Sequence, residues 1–160
     1  MSWKTQIEGN VDRFMDEMNV PIIGLDDESK SREPLVFPKL DALTDQELSE
    51  YITKFGGYKA YLEGQLAYID SRRSLTEELF DEALGKAMFR ISVGYPKKPT
   101  KELLRAEAIE VTSGLAELRI DFLELDTLYK RVMGVRDSYK SAYEAVSRLV
   151  SLRAAMNGRF

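Results

Sequence analysis

The sequence predicts an all-α protein: a long antiparallel two-helix coiled-coil hairpin, preceded by an N-terminal amphipathic helix and an extended arm. Apolar residues recur at alternating steps of three and four along most of residues 44–160, which is the helical period. The 5 prolines lie outside the longest periodic runs, where they would break a helix. We divide the chain into residues 1–43, the helix plus arm, and residues 44–160, the hairpin.

The first predicted helix covers residues 2–18, with Ser2 as its N-cap and Pro21 beyond its end. Residues 19–43 show no sustained period, and the prolines around their second apolar segment favour an extended chain. We expect the helix and this segment to dock on the chain's own hairpin or on a neighbouring subunit. The candidate oligomer- or partner-binding residues are Trp3, Ile7, Val11, Phe14, Met18, Leu35, Val36 and Phe37.

The hairpin begins at a capping box, in which Thr44 is the N-cap and Glu47 occupies the third helical position. Glycine and two prolines in residues 94–99 predict the turn between the two helices. The second helix is predicted to run unbroken from Thr100 with strict heptads, which is typical of a coiled coil, and Val111 is one of its core positions. A turn at residues 96–97 would place Arg136 beside Gly56.

The absence of two residue types excludes most catalytic chemistry. The chain contains no Cys and no His, which excludes disulfides, thiolate zinc sites, cysteine nucleophiles and histidine-dependent triads. No phosphate-binding glycine loop or nucleophile elbow is present. The paired carboxylates Glu78 and Glu82 fit a solvated acidic helix face. We therefore predict a protein that is not an enzyme and that uses no cofactor or metal.

Hydropathy gives no indication of a membrane protein. No apolar stretch approaches the roughly 20 residues that span a bilayer. The N-terminus also lacks the apolar region of a signal peptide. The expectation is a cytoplasmic protein without membrane contact.

Charge is segregated along the chain although the formal net charge is only −4. Residues 1–50 are acidic, whereas residues 86–105 carry six basic residues and one acidic residue. Lysines around an aromatic residue at a turn suit contact with phosphates and with a nucleic-acid base. Alternatively, the basic and acidic segments face each other within the fold or an oligomer. The candidate nucleic-acid-binding residues are Arg72, Arg73, Lys86, Arg90, Tyr95, Lys97, Lys98, Lys101 and Arg105.

Three short segments carry a resemblance to a known family. They are Ile69-Asp70-Ser71-Arg72-Arg73, then Thr100-Lys101-Glu102-Leu103-Leu104-Arg105-Ala106, then Ala145-Val146-Ser147-Arg148-Leu149-Val150-Ser151-Leu152-Arg153. Over roughly residues 45–157 the chain resembles the phage UvsY-type recombination mediators. The resemblance implies a ring-like homo-oligomer in a phage-infected cell. It also implies single-stranded-DNA binding around Arg72 and Arg73, and contacts with a recombinase and a single-strand-binding protein.

Three hypotheses for the function remain. The first is a non-enzymatic, single-stranded-DNA-binding recombination mediator that assists recombinase loading. The second is a helical scaffold or adaptor, such as a phage structural or host-takeover factor, that binds a protein through its acidic arm and hairpin. The third is an acidic mimic that blocks a nucleic-acid-binding host protein. Only the first predicts DNA affinity that falls steeply with salt.

Overall fold

A computed structural model describes residues 3–21, 23, 39, 42–97 and 99–157 of the chain. These residues form four α-helices and no β-strand, so the all-α class is confirmed: α1 Trp3–Glu17, α2 Asp45–Ser92, α3 Lys101–Val111 and α4 Leu115–Asn157. Contacts group the chain into two compact units. The first unit comprises Met1–Phe14 and Tyr68–Tyr129, and the second comprises Met15–Ala67 and Lys130–Phe160. The division at residue 43 stays a prediction.

In the second unit, α2 and α4 pack side by side in opposite directions. Asp45 at the start of α2 accepts a 2.9 Å hydrogen bond from Arg153 near the end of α4. Further along α2, the ring of Phe55 lies 6.0 Å from that of Tyr139. A Cβ atom on Gly56 would lie 3.4 Å from the Tyr143 ring, so this glycine allows a large side chain to approach. The predicted antiparallel hairpin is therefore present here. The predicted register is wrong, because Tyr143 rather than Arg136 lies beside Gly56.

In the first unit, the core lies between the second half of α2 and residues of α3 and α4. Phe80, Leu84 and Ala87 pack with Ala108 and Leu115, and each of these side chains is at most 6% exposed. Burial of such a cluster supplies the main stabilisation of a helical pair, because apolar surface leaves water.

The second predicted hairpin helix is interrupted, which corrects the expectation of one continuous coiled-coil helix. The α3 helix ends at Val111, and the backbone N–H of Thr112 donates a 3.1 Å bond to the Ala108 carbonyl. Gly114 then takes a φ of 81°, a left-handed conformation that glycine adopts without strain, and α4 begins at Leu115. Val111, predicted to be a core residue, is 64% exposed because the helix ends there before its face is covered.

The helix starts predicted at Thr44 and Thr100 are confirmed, whereas the predicted N-cap Ser2 lies outside the described residues. The backbone N–H of Thr44 donates to the Glu47 carboxylate at 2.7 Å, and the Glu47 N–H donates to the Thr44 hydroxyl at 3.3 Å. The hydrogen bond from the Thr44 backbone is the main reason that the pKa of Glu47 is lowered from its usual value. At α3, the hydroxyl of Thr100 accepts from the Leu103 N–H at 3.2 Å.

Candidate nucleic-acid interface

Four basic residues lie along the stretch of chain where α2 ends and α3 begins, and we call them the basic end: Arg90, Lys97, Lys101 and Arg105. Arg90 lies in the last turn of α2, and Lys97 lies in the connection that follows. Lys101 and Arg105 are four residues apart on α3, so they project from the same helix face. All four are exposed. Lys98, also predicted here, lies outside the described residues.

The basic end carries positive charge that is not neutralised locally. Among the described residues, none of its four cations lies within ion-pair distance of a carboxylate. Elsewhere in the chain such pairs are common, for example Arg153 with Asp45 at 2.9 Å in the second unit. The guanidinium carbon of Arg105 lies 5.9 Å from the Phe80 ring, an arrangement that leaves its charge available to a ligand. The basic end can therefore attract an anionic partner.

Tyr95 lies in the connection between α2 and α3, and its side chain takes part in contacts within the fold. It is half-buried, and its hydroxyl donates a hydrogen bond to the carboxylate of Glu107 on α3. That hydrogen bond is the main reason that the pKa of Tyr95 is raised. The ring also forms one wall of an open groove beside the basic end, which is lined by Met88, Phe89, Ser92, Tyr95, Pro99 and Leu104.

The other predicted DNA contacts lie apart from the basic end or are already paired. Arg73 donates to Asp126 at 3.0 Å and lies 4.6 Å over the Tyr129 ring, and the bond to Asp126 raises the pKa of the guanidinium. Arg72 is exposed and lies 5.8 Å from the Tyr68 ring. Both precede Arg90 by about 26 Å along α2, at the ~1.5 Å rise per residue of a helix. These two arginines therefore lie far from Arg90 along the helix.

Lys86 also lies on α2, where it forms an ion pair with Glu82 one turn before it. The hydrogen bond from Lys86 lowers the pKa of the Glu82 carboxyl. The charge of Lys86 is thus partly neutralised. Sequence reasoning missed the neighbouring Phe89, which is 71% exposed and could have been found from its heptad spacing to exposed leucines earlier in the helix.

Most of the α1 residues predicted to bind a partner are covered by their own chain. Ile7 and Val11 are 5% and 1% exposed, and Met18 is 9% exposed. Asn10, on the same helix, donates a 2.8 Å hydrogen bond to Glu124 within the first unit. Phe14 is half-buried, and Trp3 is 45% exposed. These contacts favour the alternative in which this helix docks on its own chain. Leu35, Val36 and Phe37 lie outside the described residues.

Within the part of the chain that the structure describes, no group of three or more carboxylates is placed to hold a metal ion. No described helix is both long and apolar enough to cross a membrane.

Comparison with known proteins yields no relative for this chain. No protein-family model, no curated protein and no solved structure matches it. The proposed function therefore depends on the geometry and charge of the basic end.

Proposed function

We propose that this protein is a non-enzymatic accessory protein that binds single-stranded DNA through its basic end. The observation that carries the proposal is the exposure of Arg90, Lys97, Lys101 and Arg105 without a carboxylate partner among the described residues. Lysine and arginine charges in this state attract phosphates, and the release of counterions from the nucleic acid favours binding.

The groove beside the cations favours a single strand over a duplex. Its lining includes Met88, Pro99 and Leu104, which offer apolar surface, and part of the Tyr95 ring. Bases in a single strand are available to pack on such surfaces, whereas bases in a duplex are stacked on one another. A strand whose phosphates follow the four cations could therefore place a base against the groove.

The more specific role that we propose is that of a recombination mediator, which helps to load a recombinase onto single-stranded DNA. This part of the proposal rests on the resemblance to UvsY-type mediators, as do the contacts with recombinase and single-strand-binding protein. The basic end supports it only by supplying a DNA-binding surface.

The test is fluorescence anisotropy with a labelled single-stranded oligonucleotide. We expect the triple variant Lys97→Glu, Lys101→Glu and Arg105→Glu to lose binding. The matched control reverses Lys54, Arg119 and Lys140, which are also exposed, so both variants change the net charge equally. Equal losses in the two variants would show that overall charge, rather than the basic end, attracts the DNA. Unchanged binding in the first variant would contradict the proposal.

A helical scaffold or adaptor is the second candidate. It is favoured by the exposure of Leu103 (50%) and Val111 (64%) on α3, the helix that also carries Lys101 and Arg105. Apolar side chains beside cations suit an acidic protein partner with apolar anchors. This candidate predicts no oligonucleotide binding, and loss of partner binding when Leu103 or Val111 is replaced by Asp.

A further inference from the structure

A row of exposed side chains on α2 is unexplained by the fold, and only one of its members, Phe89, lines the groove used in the DNA-binding proposal. We call this row the outer stripe: Leu75, Leu79, Glu82, Lys86, Phe89 and Val93. Its members follow one another at steps of four, three, four, three and four residues, which is the heptad pattern of a coiled-coil seam. Val93 directly follows the last residue of α2, and the other five lie within the helix.

The outer stripe is apolar and lies away from the core. Leu75 and Leu79 are 59% and 47% exposed, and Phe89 and Val93 are 71% and 73% exposed. The core-facing residues of the same helix segment, such as Phe80 and Leu84, fall on the opposite side of the helical wheel. Four large apolar side chains in one row on a helix are more than scattered surface residues, and they indicate an interaction surface.

We propose that the outer stripe binds the outer stripe of a second copy of this chain, with the two α2 helices antiparallel about a twofold axis near residue 84. In this register, Glu82 meets Lys86 of the second copy. Leu79 then meets Phe89, and Leu75 meets Val93. The twofold axis repeats each of these contacts, so one row of residues satisfies both sides of the interface.

The charges of the outer stripe favour a second copy of this chain as its binding partner, and they favour an antiparallel arrangement of the two α2 helices. The two polar positions of the stripe form an ion pair with each other within one helix. They are equidistant from residue 84, so each also faces an opposite charge of the second copy only when the helices run in opposite directions. In a parallel pair, Glu82 would face Glu82 and Lys86 would face Lys86, which is unfavourable. Polar residues within an apolar seam commonly fix register and direction in this way.

Small residues on both sides of the axis allow close approach. Gly85 lies beside the centre of the proposed contact, and a Cβ on it would meet nothing within 4 Å in the single chain. Ala83, on the other side of the centre, packs partly against the core of its own unit. An exposed glycine within a helix costs stability relative to alanine, and nothing within the single chain requires it. Close approach of a second helix would explain why this position is a glycine.

The oligomeric state tests the proposal without any DNA. Sedimentation velocity over about a hundredfold range of protein concentration should show a dimer. Leu79→Asp should weaken the dimer about tenfold or more, because it places a charge against Phe89 of the second copy. The control is Leu152→Asp on α4, which alters another exposed leucine (61%) and should leave the dimer intact. A monomer at all concentrations, or equal effects of the two variants, would overturn the proposal.

A charge exchange tests the polar layer. Glu82→Lys alone and Lys86→Glu alone should each weaken the dimer, because like charges then meet across the axis. The double variant with both changes restores opposite charges and should recover the wild-type dimer. Circular dichroism checks that all three variants keep their helicity. Failure of the double variant to recover, in a folded protein, would contradict the register.

Because the chain contains no Cys, introduced thiols report the direction of the helices without background. Gly85→Cys should form a cross-linked dimer on oxidation, whereas the control Gly64→Cys, at another exposed glycine on α2, should not. Leu75→Cys and Val93→Cys chains should cross-link to each other when mixed and not to themselves. Self-linking of either chain would indicate a parallel pair and refute the proposed direction.

The four cations of the basic end are not members of the outer stripe, although Phe89 also lines the groove beside them. The variants that test the two proposals therefore change different residues, and the two proposals fail separately. A dimer that binds no DNA would support the outer-stripe proposal and contradict the DNA-binding proposal. A monomer that binds DNA through Lys97, Lys101 and Arg105 would contradict the outer-stripe proposal and support the DNA-binding proposal.

Discussion

Replacement of Tyr139 by Phe removes one buried hydroxyl and leaves the ring in place. Tyr139 is 0% exposed, and its hydroxyl donates a 2.7 Å hydrogen bond to the Pro21 carbonyl in the second unit. Loss of one such bond costs about 1 kcal/mol, with a further cost when the carbonyl stays buried without a donor. We therefore expect the free energy of unfolding to fall by about 1–2 kcal/mol, and the melting temperature by about 2–6 °C for a chain of this size.

The same variant should change the response to alkaline pH. Burial raises the pKa of Tyr139 well above the value of about 10 that the residue has in an unfolded chain. Between these two values the unfolded chain loses the proton and the folded chain keeps it. The contribution of Tyr139 to the free energy of unfolding is therefore fully present below pH ~10 and decreases as the pH rises above that value. The Tyr139→Phe protein should lose stability less steeply in that range.

Urea unfolding followed by circular dichroism, at neutral pH and above pH ~10, measures both effects. The control is Tyr68→Phe, because Tyr68 is 58% exposed and its ring lies 5.8 Å from the Arg72 guanidinium. That change should stay within about 0.5 kcal/mol of wild type. If Tyr139→Phe is no less stable than Tyr68→Phe, the buried hydrogen bond does not contribute as argued.

Three further substitutions test single contacts by the same unfolding assay. Arg73→Ala should cost about 2 kcal/mol, because it removes the hydrogen bond to Asp126 and the contact with the Tyr129 ring, whereas the exposed Arg72→Ala should cost little. Gly114→Ala should cost about 1–2 kcal/mol, because a φ of 81° strains any residue with a Cβ. Thr44→Ala should cost about 1 kcal/mol through loss of the α2 N-cap.

For each of these three substitutions, one result would contradict the physical reason given for it. Equal stability of Arg73→Ala and Arg72→Ala would mean that the pairing of Arg73 is energetically neutral. A Gly114→Ala protein as stable as wild type would mean that the backbone relaxes without strain, and Thr44→Ala without loss would mean that the cap is replaced by water.

Local features of the fold could be predicted from sequence because they depend on neighbours along the chain. Leu115, Val132, Tyr139 and Val146 share the heptad spacing of Val111, and each is buried in the core with at most 1% exposed. The capping box at Thr44 was equally local. The period failed at Val111, because one glycine, Gly114, interrupts the helix through its backbone conformation without altering the apolar pattern.

Features that depend on distant partners were harder to predict. The predicted register between α2 and α4 was wrong because the helix that follows the turn is broken again at residues 112–114, between α3 and α4. The break changes the number of residues that span a given length beside α2. At the candidate site, Lys97, Lys101 and Arg105 are exposed, as is usual for charged residues in a connection or on a helix surface. It could not show that Arg73 is held by Asp126, because the two residues lie far apart in the chain.

The central claim is that the basic end binds single-stranded DNA through its phosphates, and the salt dependence of oligonucleotide binding tests it most directly. Four phosphate contacts predict an affinity that falls about 50-fold between ~50 and ~200 mM salt. Replacement of Lys97 and Lys101 by Gln should reduce that fall to about sevenfold, because two contacts are lost. Salt-dependent binding of this size, with the smaller slope in the variant, is the result we predict. No binding at low salt, or the same slope in both proteins, would contradict the claim.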